Sequence, residues 1–154
     1  MGTVKAVCTS EIKGIQKSEA ACVELRPDWG IVHDAHAGKW HRQVSLLGYE
    51  QIERFKALGA DVVNGSFGEN IIVEGFDLKT LPVGTRLRLG DSLLELSQIG
   101  KQCHAHCAIY HKMGDCIMPR EGVFCKVLEG GTVRAGDVVS IEAAERLDRR
   151  RCRV

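Results

Sequence analysis

Thiols and imidazoles are the side chains that carry out soft-ligand and sulfur chemistry, and this chain crowds them together. Between Ile99 and Cys125 stand four of its seven cysteines and three of its six histidines. The run opens Ile99-Gly100-Lys101-Gln102-Cys103-His104-Ala105-His106-Cys107 and closes Gly114-Asp115-Cys116-Ile117-Met118-Pro119, then Glu121-Gly122-Val123-Phe124-Cys125. Cys103 is the leading candidate for chemistry. An ordinary thiol, with a pKa of about 8.5, is only a few per cent thiolate at neutral pH. Lys101, two residues before it, and the adjacent His104 both favour the anion. A thiolate there suits a nucleophile, a persulfide carrier or a metal ligand.

Other uses of the same residues stay open. Cys103 and Cys107 are four apart and would share one face of a helix. With Cys116 and Cys125, or with His104 and His111, they could hold a tetrahedral zinc, although the remaining gaps do not repeat a second knuckle. Two of them could instead form a disulfide that resolves a reactive thiol. Cys125 sits inside Val123-Phe124-Cys125-Lys126-Val127-Leu128 and reads as a core strand residue. Cys8, Cys22 and Cys152 have no supporting neighbours and read as structural.

Two further stretches offer polar chemistry. His33-Asp34-Ala35-His36-Ala37-Gly38-Lys39-Trp40-His41-Arg42-Gln43 places an acid beside two histidines, a pattern that can orient an imidazole or join a metal shell. Its Lys39, His41 and Arg42 make a small basic loop suited to a phosphate. Gly65-Ser66-Phe67-Gly68-Glu69-Asn70 is a glycine-flexible turn offering a carboxylate and an amide just before a strand.

These segments need elements to hold them, and the pattern is strand-rich with glycine punctuation. Val4 to Cys8 and Ala21 to Leu25 read as strands, the second with Val23 and Leu25 alternating against Cys22, Glu24 and Arg26. The stretch from Ile31 to Arg42 is irregular. Gly48 to Leu58 reads as a helix, with Tyr49, Ile52 and Phe55 on one face and Gly59 where a C-terminal cap belongs. Asn70 to Val73 is an apolar strand. Thr85 to Leu89 and Ser92 to Leu96 form a hairpin around Gly90-Asp91, a connection whose leading glycine suits a tight turn. Ala105 to Met113 forms a short helix or a loop. Val123 to Leu128 and Val133 to Ile141 are the final strands, joined through Gly130-Gly131. One closed or strongly curled β-barrel with one or two short helices is expected.

The 154 residues suffice for one domain with its own core, expected over residues 1–142 with a charged tail over 143–154. A formal net charge of +1 gives no reason to expect nucleic acid or a membrane surface as the main partner. The start of the chain lacks the long apolar core of a signal peptide, and no run approaches the roughly 18 residues of a membrane span. Seven cysteines cannot form a closed disulfide set, so a cytoplasmic protein with reduced thiols is expected.

Taken together, the segments resemble the MOSC domain family, found at the C-terminus of molybdenum-cofactor sulfurases and in short stand-alone bacterial proteins. The resemblance is carried by His33-Asp34-Ala35-His36-Ala37-Gly38 with Arg42-Gln43-Val44-Ser45-Leu46-Leu47, by Gly65 to Ile71, and by Ile99 to His104. Gly114 to Pro119, Glu121-Gly122-Val123-Phe124, Gly130-Gly131 and Gly136-Asp137 complete it in family order. It implies a barrel of the pyruvate-kinase β-barrel type. It also implies a cysteine, here Cys103, that carries sulfur as a persulfide or binds the molybdenum of a molybdopterin cofactor. By the same resemblance His33, His36, Arg42, Glu69 and Asn70 line the cleft, the first three holding an anionic group of the acceptor. Many relatives have an arginine and a proline where Lys101 and Gln102 stand, and lysine keeps the charge but loses bidentate geometry.

Three functions follow from this reading. The first is sulfur handling for molybdenum-cofactor or metal-sulfur metabolism. Its donor would be a pyridoxal-phosphate-dependent cysteine desulfurase and its acceptor a molybdenum-cofactor enzyme or biosynthesis protein. The second is a molybdenum-dependent reductase of N-hydroxylated substrates, which would need an electron-donating partner. The third is a zinc-stabilised binding module without catalysis.

Overall fold

A computed structural model describes residues 1–13, 15–100 and 121–142. Its strands are β1 (Gly2–Thr9), β2 (Ser18–Ala20), β3 (Val23–Arg26), β4 (Gly30–Ile31), β5 (Val44–Gly48), β6 (Ile71–Glu74), β7 (Arg86–Leu89), β8 (Ser92–Ile99), β9 (Val123–Glu129), β10 (Gly131–Val133) and β11 (Val138–Glu142). Among the described residues, helix α1 (Tyr49–Ala57) follows β5 and a 3-10 turn spans Leu78–Thr80. The main sheet runs β11-β7-β8-β9-β5-β6-β1-β2, and pairing of β11 with β1 closes seven of these strands into a barrel. Strands β10, β3 and β4 form a second small sheet. The expected mostly-β barrel is what the chain forms.

The strand patterns explain the closure. On β5, Val44 and Leu46 face the barrel interior while Leu47 faces outward beneath α1. On β6, Ile71 and Val73 point in and Ile72 points out to the same helix. These strands are covered on both faces, so they read as unbroken apolar runs rather than alternating ones. Among the described residues they are also the one parallel pair, with Leu46 opposite Ile71 and Leu47 opposite Ile72, joined by a crossover that contains α1. The helix docks through Ile52 and Phe55 against Ala6, Leu47, Ile72 and Phe124.

Several local expectations are met. The hairpin of β7 and β8 pairs Leu89 with Ser92 and Leu87 with Leu94 around Gly90-Asp91. Helix α1 ends in a Schellman motif: Gly59 N–H donates to Lys56 O at 2.9 Å and Ala60 N–H to Phe55 O at 3.3 Å, with Gly59 at φ +104°. Val23 and Leu25 are buried while Glu24 and Arg26 are exposed, although that strand starts only at Val23.

Two expectations need correction. Val133 to Ile141 is not one strand: Asp137 N–H bonds Arg134 O at 3.2 Å and the Asp137 carboxylate takes Arg134 N–H at 3.0 Å, closing a turn between β10 and β11. A carboxylate that caps its own turn competes with the ladder, and the break moves the chain from the small sheet to the barrel. Cys22 is exposed and free, so it is not a packing residue, whereas Cys8 and Cys125 are buried. The expectations for Ala105 to Met113, for residues 143–154 and for Cys152 lie outside the described residues.

Candidate functional site

The loop after β4 is organised by Asp34. His33 adopts φ +68°, and the chain then folds back so that Ala35 N–H donates to Ser10 O at 2.7 Å and Gly38 N–H to Trp29 O at 2.8 Å. The Asp34 carboxylate turns inward. Its Oδ1 accepts from Lys17 Nζ at 2.9 Å, Thr9 Oγ1 at 3.1 Å and Ser10 N–H at 3.0 Å, and its Oδ2 accepts from His36 N–H at 3.0 Å. The side chains of Lys17 and Asp34 are 1% and 0% exposed, which makes this a buried ion pair. Burial alone would raise the Asp34 pKa, but the hydrogen bonds from Lys17, Ser10 and His36 outweigh it and hold the carboxyl below the usual carboxylate range.

Lys17 also reaches the second stretch. Its backbone N–H donates to Gly65 O at 2.9 Å. In that turn the Glu69 carboxylate accepts Gly65 N–H and Phe67 N–H, each at 3.0 Å, and the residue is 0% exposed. Burial pushes the Glu69 pKa up despite these donors. Asn70 is likewise fully buried: its Oδ1 accepts Ser45 N–H at 3.0 Å and its Nδ2 donates to Cys8 O at 3.1 Å, tying β6 to β5 and β1. Glu69 and Asn70, expected to line a cleft, are instead fully buried, and their polar atoms are taken by the backbone. Lys17 is the residue that joins the Asp34 loop to the Glu69 turn, and the sequence reading missed it. A lysine between Gln16 and Ser18 carries no local signal of burial; only the carboxylate that it meets reveals it.

A cationic and aromatic shelf lies beside this pair. The Arg42 guanidinium sits 4.6 Å from the Trp40 ring centroid and 5.7 Å from that of Phe124, and Lys13 Nζ lies 5.7 Å from the Trp40 ring. Trp40 Nε1 donates to His36 O at 2.8 Å, which pins the ring to the Asp34 loop. Arg42 Nε is buried with no hydrogen-bond partner among the described residues. The register of β8 and β9 shifts between Leu96 and Gln98, and this bulge turns Ser97 Oγ to the carbonyls of His41 and Phe124. Next to it, His41 Nε2 meets Gln98 Oε1 at 2.7 Å and Gln98 Nε2 donates to Gly100 O at 2.8 Å. Gly100 N–H in turn donates to Gly122 O at 2.7 Å, and Glu121 pairs with Lys79 at 2.8 Å. His41, next to Arg42 in the chain, is thus linked through Gln98 to Gly100, and Phe124 stands three residues from Glu121; Gly100 and Glu121 flank segment 101–120.

His36 and Arg42 come together around Trp40. His33, from the same loop, instead lines an open groove of about 560 Å³ with Thr9, Ser10, Glu11, Cys22, Val23, Glu24 and Val32. Lys101, Cys103, His104, Cys107 and Cys116 lie outside the described residues, and with them the expected sulfur or zinc chemistry. Among the described residues no group of three or more His, Cys, Asp or Glu side chains is placed to hold a metal ion. No helix among them is long and apolar enough to cross a membrane.

The family model of the MOSC domain matches residues 33–140, from the histidine loop to the last barrel strand. The chain belongs to the MOSC domain family. MOSC domains are associated with binding molybdenum cofactor or with handling sulfur. Three solved structures share the fold. The YuaD protein of Bacillus subtilis is 18% identical, with a TM-score of 0.69 over 90% of this chain and 94% of that one. YiiM of Geobacillus stearothermophilus is 17% identical, with a TM-score of 0.68 over 92% of this MOSC chain and 75% of its own. YiiM of Escherichia coli is 17% identical, with a TM-score of 0.67 over 93% and 70%. No curated protein matches the sequence.

Proposed function

We propose that this MOSC protein handles sulfur for molybdenum-cofactor or metal-sulfur metabolism, with Cys103 as the sulfur acceptor or the molybdenum ligand. The observation that supports this most is the shelf of Lys13, Trp40, Arg42 and Phe124, whose buried Arg42 Nε has no hydrogen-bond partner among the described residues. Cys103 is three residues along the chain from Gly100, a span of at most about 11 Å when fully extended.

The shelf fits a flat heterocycle that carries a phosphate. Trp40 offers a ring face, Arg42 and Lys13 offer charge, and the Arg42 Nε–H has no acceptor among the described residues. Arg42, Lys13 and Trp40 would hold a molybdopterin group there, and that group, when bound, supplies molybdenum redox chemistry. Lys101 and His104 would favour the Cys103 thiolate.

For sulfur transfer, the Cys103 thiolate attacks the terminal sulfur of a persulfide on a cysteine desulfurase. One S–S bond forms on Cys103 as the donor's S–S bond breaks, and the donor cysteine leaves as a thiolate, so no separate oxidant is needed. A molybdenum-cofactor enzyme or biosynthesis protein would then take the sulfur.

The test uses the purified full chain. It is incubated with a cysteine desulfurase and cysteine, persulfides are mapped by mass spectrometry, and molybdenum and zinc are measured. Persulfide on Cys103, or molybdenum lost on Cys103→Ala and reduced on Arg42→Ala, supports the reading. A chain that gains no sulfur and takes no molybdenum from cofactor-bearing extracts ends it. Molybdenum with turnover of N-hydroxylated substrates, abolished by Cys103→Ala, would make the protein a reductase instead. Zinc that cannot be removed without unfolding would favour a binding module.

A further inference from the structure

We propose that His41 is a specificity-determining residue of the shelf: its Nδ1 accepts a hydrogen bond from an N–H group of the ligand. Gln98 is the positioning residue that keeps this atom unprotonated. The Gln98 amide is oriented by the backbone just beyond the paired ends of β8 and β9, where Ile99 lies opposite Val123. Gly100 O is an obligate acceptor, so the Gln98 atom 2.8 Å from it is the amide nitrogen. Gly100 is itself held, its N–H donating to Gly122 O at 2.7 Å. The same amide then turns Oε1 to His41 Nε2 at 2.7 Å. An amide oxygen only accepts, so Nε2 carries the proton of that bond. A neutral imidazole has one ring proton, which leaves Nδ1 as an acceptor.

The surroundings of that atom point to a ligand. His41 is exposed, and its Nδ1 makes no hydrogen bond among the described residues. Its ring meets the Trp40 ring edge-on, the centroids 5.9 Å apart at 70°. It therefore stands beside the same aromatic surface that carries the Arg42 guanidinium at 4.6 Å and Lys13 Nζ at 5.7 Å.

The shelf thus places an acceptor next to two cations. Its complement is a flat ring bearing both an N–H donor and an anionic group. The lone pair on Nδ1 repels an anion, so the phosphate task expected of the loop falls to Arg42 and Lys13 rather than to His41. This deepens the proposed function by naming the donor on its ligand, and rests on it only for the claim that a ligand comes to the shelf.

Two probes test this on the full chain, at a pH where the imidazoles are neutral. One is 6-carboxypterin, a flat ring with N–H donors and a carboxylate; the other is 1-naphthoate, which has the ring and the carboxylate without a donor. Calorimetry gives the affinities. With 15N-histidine in the chain, two-bond proton–nitrogen spectra give the tautomer, His41 being assigned by the signals lost in His41→Phe. The wild type should show Nε2–H with a bare Nδ1, an upfield shift of Nδ1 on adding 6-carboxypterin, and about 3- to 10-fold weaker binding of 1-naphthoate. His41→Phe should remove that preference, and Gln98→Leu should let the Nδ1–H form appear. An Nδ1–H pattern in the wild type, an unshifted Nδ1, equal affinity for the two probes or no binding of either overturns the proposal. An unchanged tautomer in Gln98→Leu overturns the role of Gln98. Should that variant not fold, the wild-type spectra and the two affinities still decide the role of His41. Neither probe contains molybdenum or sulfur, so a failed metal or persulfide analysis leaves this result standing.

Discussion

At the scale of single residues, burial decides what each titratable group does. Lys17 and Asp34 are safe inside only as a pair, because removing one partner leaves an uncompensated buried charge. Lys17→Met or Asp34→Asn should each cost about 3–5 kcal/mol in urea unfolding, and the double variant should recover much of that loss. Asp34 has a folded pKa below its ordinary value of 3.8. Its stabilisation is therefore complete above that value and is lost as pH falls through the lower folded one. Glu69 has the opposite sign: its folded pKa is raised above 4.5, so its contribution is complete below 4.5 and is lost as pH rises through the folded value. As pH falls below about 4 the wild type should lose stability that Asp34→Asn no longer has to lose. Urea midpoints across that range check this, and a parallel decline in the two proteins would refute it.

The cysteines divide by the same rule. Burial, with help from Glu69 and Glu19, pushes the Cys8 thiol up to about 12, and burial pushes Cys125 up as well. In the native protein an alkylating reagent should modify exposed Cys22 within minutes, while Cys8 and Cys125 react only at the rate of unfolding. Peptide mapping of a time course reads this directly.

At the scale of elements, two turns show the difference between local strain and tertiary contact. Gly59 closes α1 at φ +104° with open space around a built Cβ. Gly59→Ala therefore carries only the left-handed backbone penalty, about 1–2 kcal/mol. Gly65 has a similar φ of +93°, but a Cβ there would lie 2.1 Å from Lys17 O. Gly65→Ala must break the Lys17 N–H bond to Gly65 and displace the Glu69 turn, so its cost should clearly exceed that of Gly59→Ala. Thermal melts of the two variants side by side make the comparison; equal melting points would mean that the Lys17 contact is not needed. The bulge at Ser97 acts in the same way on the site: one residue out of register turns a strand edge towards His41.

At the scale of the whole molecule, the barrel is held by strands β5, β6 and β9, whose inner and outer faces are both covered. Leu46 lies at 0% exposure in the barrel core, on β5 between β9 and β6. Leu46→Ala should cost about 2–5 kcal/mol in urea unfolding. A loss well under 1 kcal/mol would mean that the interior is not packed around it.

Much of this architecture could be read along the chain. The β7–β8 hairpin, the α1 face of Ile52 and Phe55, and the Gly59 cap depend on residues two to four positions apart, which is the range that periodicity and turn chemistry report. The order of family-like segments from His33 to Asp137 pointed to the MOSC fold for the same reason: each segment is a local pattern. The turn at Arg134–Asp137 escaped because an apolar run hid a side-chain cap. The site was less legible. His36 and Arg42 could be singled out as residue types, but not their tasks. Lys17 meets Asp34 across 17 positions, Asn70 meets Cys8 across 62, and Arg42 finds Phe124 from a different strand altogether.

The sequence alone thus determined the element types, the barrel class and the presence of a thiol and imidazole cluster, because these follow from spacings between near neighbours. Only the tertiary structure decided which polar residues are spent inside the fold. Burial is a property of the closed barrel: the same carboxylate that would be a solvated loop residue in an open chain becomes, once enclosed beside Lys17, the group that ties its loop to Thr9 and Ser10.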